Sequence, residues 1–143
     1  FLTASMVETA LDFRPLAALG SMLGSGAVVA IAEGSCMLNL ALNQCRFFRD
    51  ESCGKCVPCR LGSEKIVQIL RNLQQGHGTA TGLAAGLAAG LEIIEELAET
   101  MQLTSICGLG QVAAAPILSA VKYFKEEVFS HLDHHCPAKV CFP

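Results

Sequence analysis

Residues 53–73 read Cys53-Gly54-Lys55-Cys56-Val57-Pro58-Cys59-Arg60-Leu61-Gly62-Ser63-Glu64-Lys65-Ile66-Val67-Gln68-Ile69-Leu70-Arg71-Asn72-Leu73. Two signals meet here. Three thiols fall within seven residues at a C-x2-C-x2-C spacing. Directly after them Gly62, Ile66, Ile69, Leu70 and Leu73 recur at helical spacing, with Lys65, Gln68 and Asn72 on the other side. The spacing predicts a helix over 58–74 that opens on a cysteine cluster.

The same periodicity continues on both sides. Upstream, Met37, Ala41, Cys45 and Phe48 recur every three or four residues, with Leu38 and Leu42 beside them, which predicts a helix over 36–49 with Ser35 as its N-cap. Downstream, Leu87, Leu91, Ile94, Ala98 and Met101 form a seam over 84–102. Ile117, Val121, Phe124 and Val128 stripe a fourth helix, running from Pro116 to near His131, with Lys122 and Glu126 as an i,i+4 pair. Gly76-His77-Gly78 ends the second helix, and 76–82 reads as loop, with His77 exposed. Ahead of the helices, Ala27-Val28-Val29-Ala30-Ile31 follows the turn Gly24-Ser25-Gly26 and reads as a strand, while Asp12-Phe13-Arg14-Pro15 reads as a turn. A lone strand is not stable, so it is expected to belong to a sheet whose other strands are mostly missing.

Composition narrows the class. Of the 143 residues 52% are apolar before glycine is counted, and only 16% are charged, against a usual ~25% charged. Such a chain is not disordered, and its net charge of −3 gives no electrostatic footprint for nucleic acid. The apolar excess points to surface that another domain or subunit covers. Three charge-free stretches, 15–32, 72–91 and 100–121, are broken by glycine, proline and polar residues; they read as core or interface, not as membrane spans. The chain opens on Phe1 without a signal-peptide pattern. It is expected to be a piece of a longer or processed polypeptide.

Eight cysteines in 143 residues fall below the ~8–10% of a disulfide scaffold, and three of them are clustered. Clustering suits metal ligation in a reducing compartment. A [4Fe–4S] cluster needs four thiolates and takes three readily from this spacing. Zinc prefers two separate C-x2-C pairs. A redox dithiol at Cys53 and Cys56 expects a preceding strand, and here a helix precedes. For a fourth ligand, Cys107 stands in the loop Ile106-Cys107-Gly108-Leu109-Gly110, where glycines let backbone N–H groups approach sulfur. Cys36 and Cys45 sit on an amphipathic helix and read as core, and Cys136 and Cys141 lie in a tail. Zinc-bound and metal-free interaction domains remain rival readings.

The stretches SMLGSGAVVAI, ESCGKCVPCRLGSEKI and SICGLGQVAAAPILSAVKYFKEEV resemble, in order and spacing, the C-terminal part of the flavin- and NADH-binding subunit of respiratory complex I. They are similar also to the beta subunits of NAD-dependent formate dehydrogenases and the diaphorase subunits of NAD-reducing hydrogenases. The resemblance covers nearly the whole chain. It implies a mainly α fold: a four-helix bundle carrying an iron–sulfur cluster, preceded by the end of a small ubiquitin-like β domain. It implies one [4Fe–4S] cluster on Cys53, Cys56, Cys59 and Cys107, and no residue engaged in acid–base catalysis. It divides the chain into a β-domain remnant (1–33), a four-helix iron–sulfur domain (34–132) and a tail (133–143).

In function the resemblance implies an electron-transfer module of a cytoplasmic NADH-linked oxidoreductase, at the cytoplasmic face of a membrane complex in some relatives. The cluster takes electrons from FMN and relays them to the other iron–sulfur subunits. FMN and NAD(H) belong to an N-terminal domain with no counterpart here, so this chain is not expected to bind them or to be catalytic alone. Ala114-Ala115-Pro116 departs from the family's Pro-Asn-Pro run, and Cys136-Pro137-Ala138-Lys139-Val140-Cys141 resembles a tail of the formate dehydrogenase and hydrogenase types. Lys55 and Arg60 flank the cluster and either favour its reduced form or are simply solvated. Glu92, Glu95, Glu96 and Glu99 read as a solvated face, with a docking surface as the rival reading, and His134-His135 as part of a disordered tail, with metal binding beside Cys136 as the rival.

Overall fold

The computed structural model describes residues 1–76 and 85–142. Its helices are α1 (Phe13–Ala18), α2 (Met37–Asp50), α3 (Val57–Gln74), α4 (Ala85–Thr104), α5 (Gly108–Val112), α6 (Ala115–Tyr123) and α7 (Lys125–Ser130), with 3-10 turns at Ala4–Met6 and His131–Asp133. The architecture is mainly helical, as the apolar periodicity requires. The loop expected over 76–82, with His77, lies outside the described residues apart from Gly76, and so do the side chains of Leu87 and Leu91.

The three long helices fall within two residues of their expected bounds because each presents one apolar face to a shared core. That core takes Leu38, Ala41, Leu42 and Cys45 from α2, Ile66, Val67, Leu70 and Leu73 from α3, and Ile94, Ala98 and Met101 from α4. Glu92, Glu95, Glu96 and Glu99 are exposed, as expected of the outer face of α4. Helices α2 and α3 run antiparallel. Gln74 Nε2 donates to Asn39 Oδ1 (2.7 Å) at one end, and Arg49 Nε meets Glu64 Oε2 (3.7 Å) towards the other. α3 also packs on α4, and α2 on α6 and α7. At the α3–α4 crossing a Cβ on Gly62 would lie 2.5 Å from Met101 Sδ, so Gly62 gives the Met101 side chain its room between the two helices.

Several expectations are corrected. The N-cap of α2 is Cys36, not Ser35; its Sγ accepts from Asn39 N–H (3.4 Å). The expected turn at Asp12–Pro15 opens a helix, because Asp12 caps α1 and a proline in the first turn removes no needed donor. Ala27–Ile31 pairs with nothing among the described residues and forms no strand; Val28 and Val29 are exposed. β-branched residues favour an extended chain but cannot supply its missing ladder partner.

The fourth helix is not continuous. Phe124 leaves helical geometry (φ −132°, ψ 36°) and separates α6 from α7. Lys122 Nζ and Tyr123 Oη both donate to the Leu19 carbonyl beyond α1. The break therefore takes Lys122 out of i,i+4 register with Glu126, and the expected pair is replaced by the Leu19 contact. α7 is redirected so that Val128 is fully buried, and Glu127 Oε1 accepts the Met37 N–H at the start of α2 (2.7 Å). The tail is ordered against the core: Cys136 is buried, and Ala138, Cys141 and Phe142 pack on the apolar cluster. Among the described residues no helix is long and apolar enough to cross a membrane.

Candidate metal centre

The short link between α2 and α3 carries the three clustered cysteines. Cys56 is the N-cap of α3, and Pro58 and Cys59 lie in its first turn. Gly54 reverses the chain at φ +76°, a left-handed conformation that an L side chain rarely adopts. Arg60 folds back so that Nη1 donates to the Gly54 carbonyl. Ser52 Oγ accepts from Gly54 N–H (3.3 Å) and lies 3.3 Å from Cys59 Sγ. Arg60 thus holds the turn in shape, a role the sequence did not separate from mere solvation.

The second segment, 105–110, is brought against this turn. Cys107 is the N-cap of α5. Ile106 N–H donates to Cys56 Sγ (3.4 Å), across 50 residues of sequence. A Cβ on Gly110 would fall 3.0 Å from Cys59 Cβ and 2.5 Å from Ser105 Oγ, so the second glycine of the loop is needed for the approach. Gln111 Nε2 donates to the Ser105 carbonyl (3.1 Å) and ties the loop to its own helix. Cys53 and Cys107 are exposed, Cys56 is half-buried and Cys59 is buried. The two cysteine-bearing segments therefore lie together at the start of α3.

The donor set fits an iron–sulfur cluster on a further observation. Ser105 Oγ is buried without a hydrogen-bond partner. A buried hydroxyl left unpaired costs ~1–3 kcal/mol, and a thiolate or sulfide held beside this loop would be an acceptor for it. The Ile106 N–H on Cys56 Sγ and the Ser52 hydroxyl beside Cys59 Sγ are contacts of the kind that steady a metal-bound sulfur.

The other cysteines divide. Cys45 is core, as expected; its thiol faces the Ala113 carbonyl, and burial pushes it up to about 12, with a backbone contact from Ile117 opposing. Cys36 belongs to the buried core, as expected, but it also has sulfur and nitrogen neighbours. Its Sγ stands with those of Cys136 and Cys141 and a ring nitrogen of His131 in a group whose ligand atoms all lie within 4.8 Å. Burial, with Cys141 and Cys136 adding to it against the Asn39 N–H, pushes the Cys36 thiol up to about 12, and burial also raises Cys141. At Cys136 burial is outweighed by the backbone N–H groups of Cys141 and Val140, then by Cys36 and His131, and the thiol falls to about 6. Sequence reasoning missed this group. Its signal was the even spacing His131-x4-Cys136-x4-Cys141; the partner Cys36 is 95 residues from His131 and gives none.

Residues 39–131 match a family model described as the NADH-ubiquinone oxidoreductase-F iron-sulfur binding region. The HndC subunit of the NADP-reducing hydrogenase of Solidesulfovibrio fructosivorans is 40% identical over 136 residues, which is 94% of this chain and 26% of that protein. The F 2 subunit of the NADH-quinone oxidoreductase of Rhizobium meliloti is 40% identical over 132 residues, 92% of this chain and 30% of that one. Among solved structures, an NAD+-reducing [NiFe]-hydrogenase in the H2-reduced state aligns with a TM-score of 0.60 and 29% identity, over 71% of this chain and 16% of that chain. The chain thus spans less than a third of the length of the relatives it matches.

Proposed function

The chain belongs to the family of the NADH-ubiquinone oxidoreductase-F iron-sulfur binding region, and from that premise we propose that it is the electron-transfer module of an NADH-linked oxidoreductase. It holds one [4Fe–4S] cluster on Cys53, Cys56, Cys59 and Cys107. The cluster would take single electrons from FMN, which divides the two electrons of a hydride, and pass them to iron–sulfur subunits beside it. FMN and NAD(H) belong to a separate domain of the same subunit. Residues 1–33 are read as the end of a β domain that lies between the two, and 34–132 as the iron–sulfur domain, in a cytoplasmic complex.

One observation carries this reading: Ile106 N–H on Cys56 Sγ, with Gly110 against Cys59, joins the 53–59 turn to the 105–110 loop. The chain's own residues do three things. Gly54 and Arg60 fix the turn, Gly110 admits the second loop, and Ser52, Ser105 and the Ile106 N–H offer hydrogen bonds to sulfur. Relatives of the quinone-linked and hydrogen-linked kinds carry the same region, and the resemblance adds formate dehydrogenases, so the module serves the nicotinamide side whatever donor or acceptor stands at the other end.

Iron and labile sulfide analysis of anaerobically prepared protein tests the proposal. About four of each per chain are expected, falling sharply in Cys56→Ala and Cys107→Ser and unchanged in Cys45→Ala. A colourless protein with zinc on these cysteines, or iron content indifferent to Cys107, overturns it.

A further inference from the structure

At the opposite end of the α2–α3 pair, four side chains converge from two distant parts of the chain. Cys36 caps the start of α2, His131 follows α7, and Cys136 and Cys141 come from the tail. His131 is fully buried and Cys36 and Cys136 nearly so. His131 Nδ1 lies 2.9 Å from the Glu127 carbonyl. A carbonyl only accepts, so Nδ1 donates to it, and in the neutral ring the lone pair is then on Nε2. That lone pair faces sulfur: Nε2 is 3.4 Å from Cys36 Sγ. A histidine held through its other nitrogen by a backbone carbonyl is the usual posture of a metal ligand.

The spacings select the kind of metal. A tetrahedral ion with Zn–S of ~2.3 Å and Zn–N of ~2.0–2.1 Å sets its sulfurs ~3.8 Å apart and sulfur to nitrogen ~3.5 Å apart. Cys36 Sγ stands 3.7 Å from Cys141 Sγ and 3.4 Å from His131 Nε2. All four ligand atoms lie within 4.8 Å of one another, which suits one ion and is too compact for a multi-iron cluster. Asn39 N–H already points at Cys36 Sγ, the bond that steadies a metal-bound thiolate. We propose that Cys36, His131, Cys136 and Cys141 form a structural zinc site, separate from the cysteines of the iron–sulfur module, that fastens the C-terminal tail to the start of α2. Whichever of the three thiols are still protonated give up their protons to solvent as zinc binds, and the histidine binds neutral. No redox step is involved. The matched family region, 39–131, contains His131 but none of the three cysteines, so the site is not part of that family definition.

Zinc alone and cobalt alone are the probes, added to the full chain after chelator treatment under anaerobic, reducing conditions. One zinc per chain is expected beyond any iron, and cobalt should give the visible spectrum of a tetrahedral thiolate site. Cys56→Ala should lose iron and keep the zinc, which separates this site from the proposed cluster. Cys136→Ser and Cys141→Ser should keep iron and bind zinc more weakly by more than the ~10–100-fold that loss of an outer hydrogen-bond partner costs. Thiol alkylation read by mass spectrometry on the unmutated chain needs no variant to fold: zinc should shield Cys36, Cys136 and Cys141 together. No zinc uptake, zinc indifferent to Cys136 and Cys141, or a Cys36–Cys141 disulfide in zinc-replete protein would each overturn the proposal.

Discussion

Two glycines of one loop do different work, and only the structure separates them. Gly108 opens α5 with nothing within 4 Å of where its Cβ would be, whereas a Cβ on Gly110 runs into Ser105 and Cys59. Neither needs a left-handed backbone, so the difference is one of space alone. In metal-free protein Gly108→Ala should change stability by less than ~0.5 kcal/mol, as a surface substitution does. Gly110→Ala should cost ~1–3 kcal/mol by overpacking and should push the 105–110 loop off the turn. Urea denaturation of the two variants side by side checks this. Equal effects would mean that the loop moves freely and that the Gly110 contact positions nothing.

Helices are held at their ends by partners remote in sequence. Glu127 on α7 accepts the Met37 N–H, and Cys36 accepts the Asn39 N–H, so the exposed donors of α2 are met by one side chain from afar and one from its own cap. Glu127→Ala should lower stability by ~0.5–2 kcal/mol, the range for losing a helix cap. Hydrogen exchange should quicken first at residues 37–39, while 66–73 in α3 stays protected. Exchange that rises evenly along α2 and α3 would refute the local role. The spans of α2, α3 and α4 could be read from sequence because burial repeats with the helical period. The break at Phe124 could not, because its stripe of Ile117, Val121, Phe124 and Val128 continues unbroken through the kink; contacts to Leu19 redirect the chain. The strand over 27–31 failed for a related reason: local residues state a preference, while the pairing partner lies elsewhere. The candidate sites divide in the same way. Cys53, Cys56 and Cys59 announce themselves by short spacing. Cys36 and His131 meet only after α7 has folded back on α2.

At the scale of the whole chain, the antiparallel α2–α3 pair separates two clusters of thiols. Cys53, Cys56 and Cys59 lie at the start of α3, while Gly76 at its other end abuts His134 of the tail. With α3 at 18 residues, the two ends stand ~27 Å apart at ~1.5 Å per residue. Effects at sites so far apart and without shared partners should add. Cys107 gives the clearest test. In the proposed cluster its thiolate would join the start of α5 to the start of α3, and metal binding of this kind is folding free energy, since the site does not exist in the unfolded chain. Cys107→Ser should lower the thermal midpoint of anaerobic, cluster-loaded protein. It should matter little in stripped protein, where Cys107 is only an exposed thiol. Cys136→Ser should act on the zinc-loaded protein in the same conditional way, and the double variant should show the sum of the two losses within ~0.5 kcal/mol. Calorimetry of the four proteins, each loaded and stripped, measures all of these terms. Destabilisation by Cys107→Ser of equal size in both states would make Cys107 a packing residue. A double variant far from additive would mean that the helix pair transmits strain between its two ends.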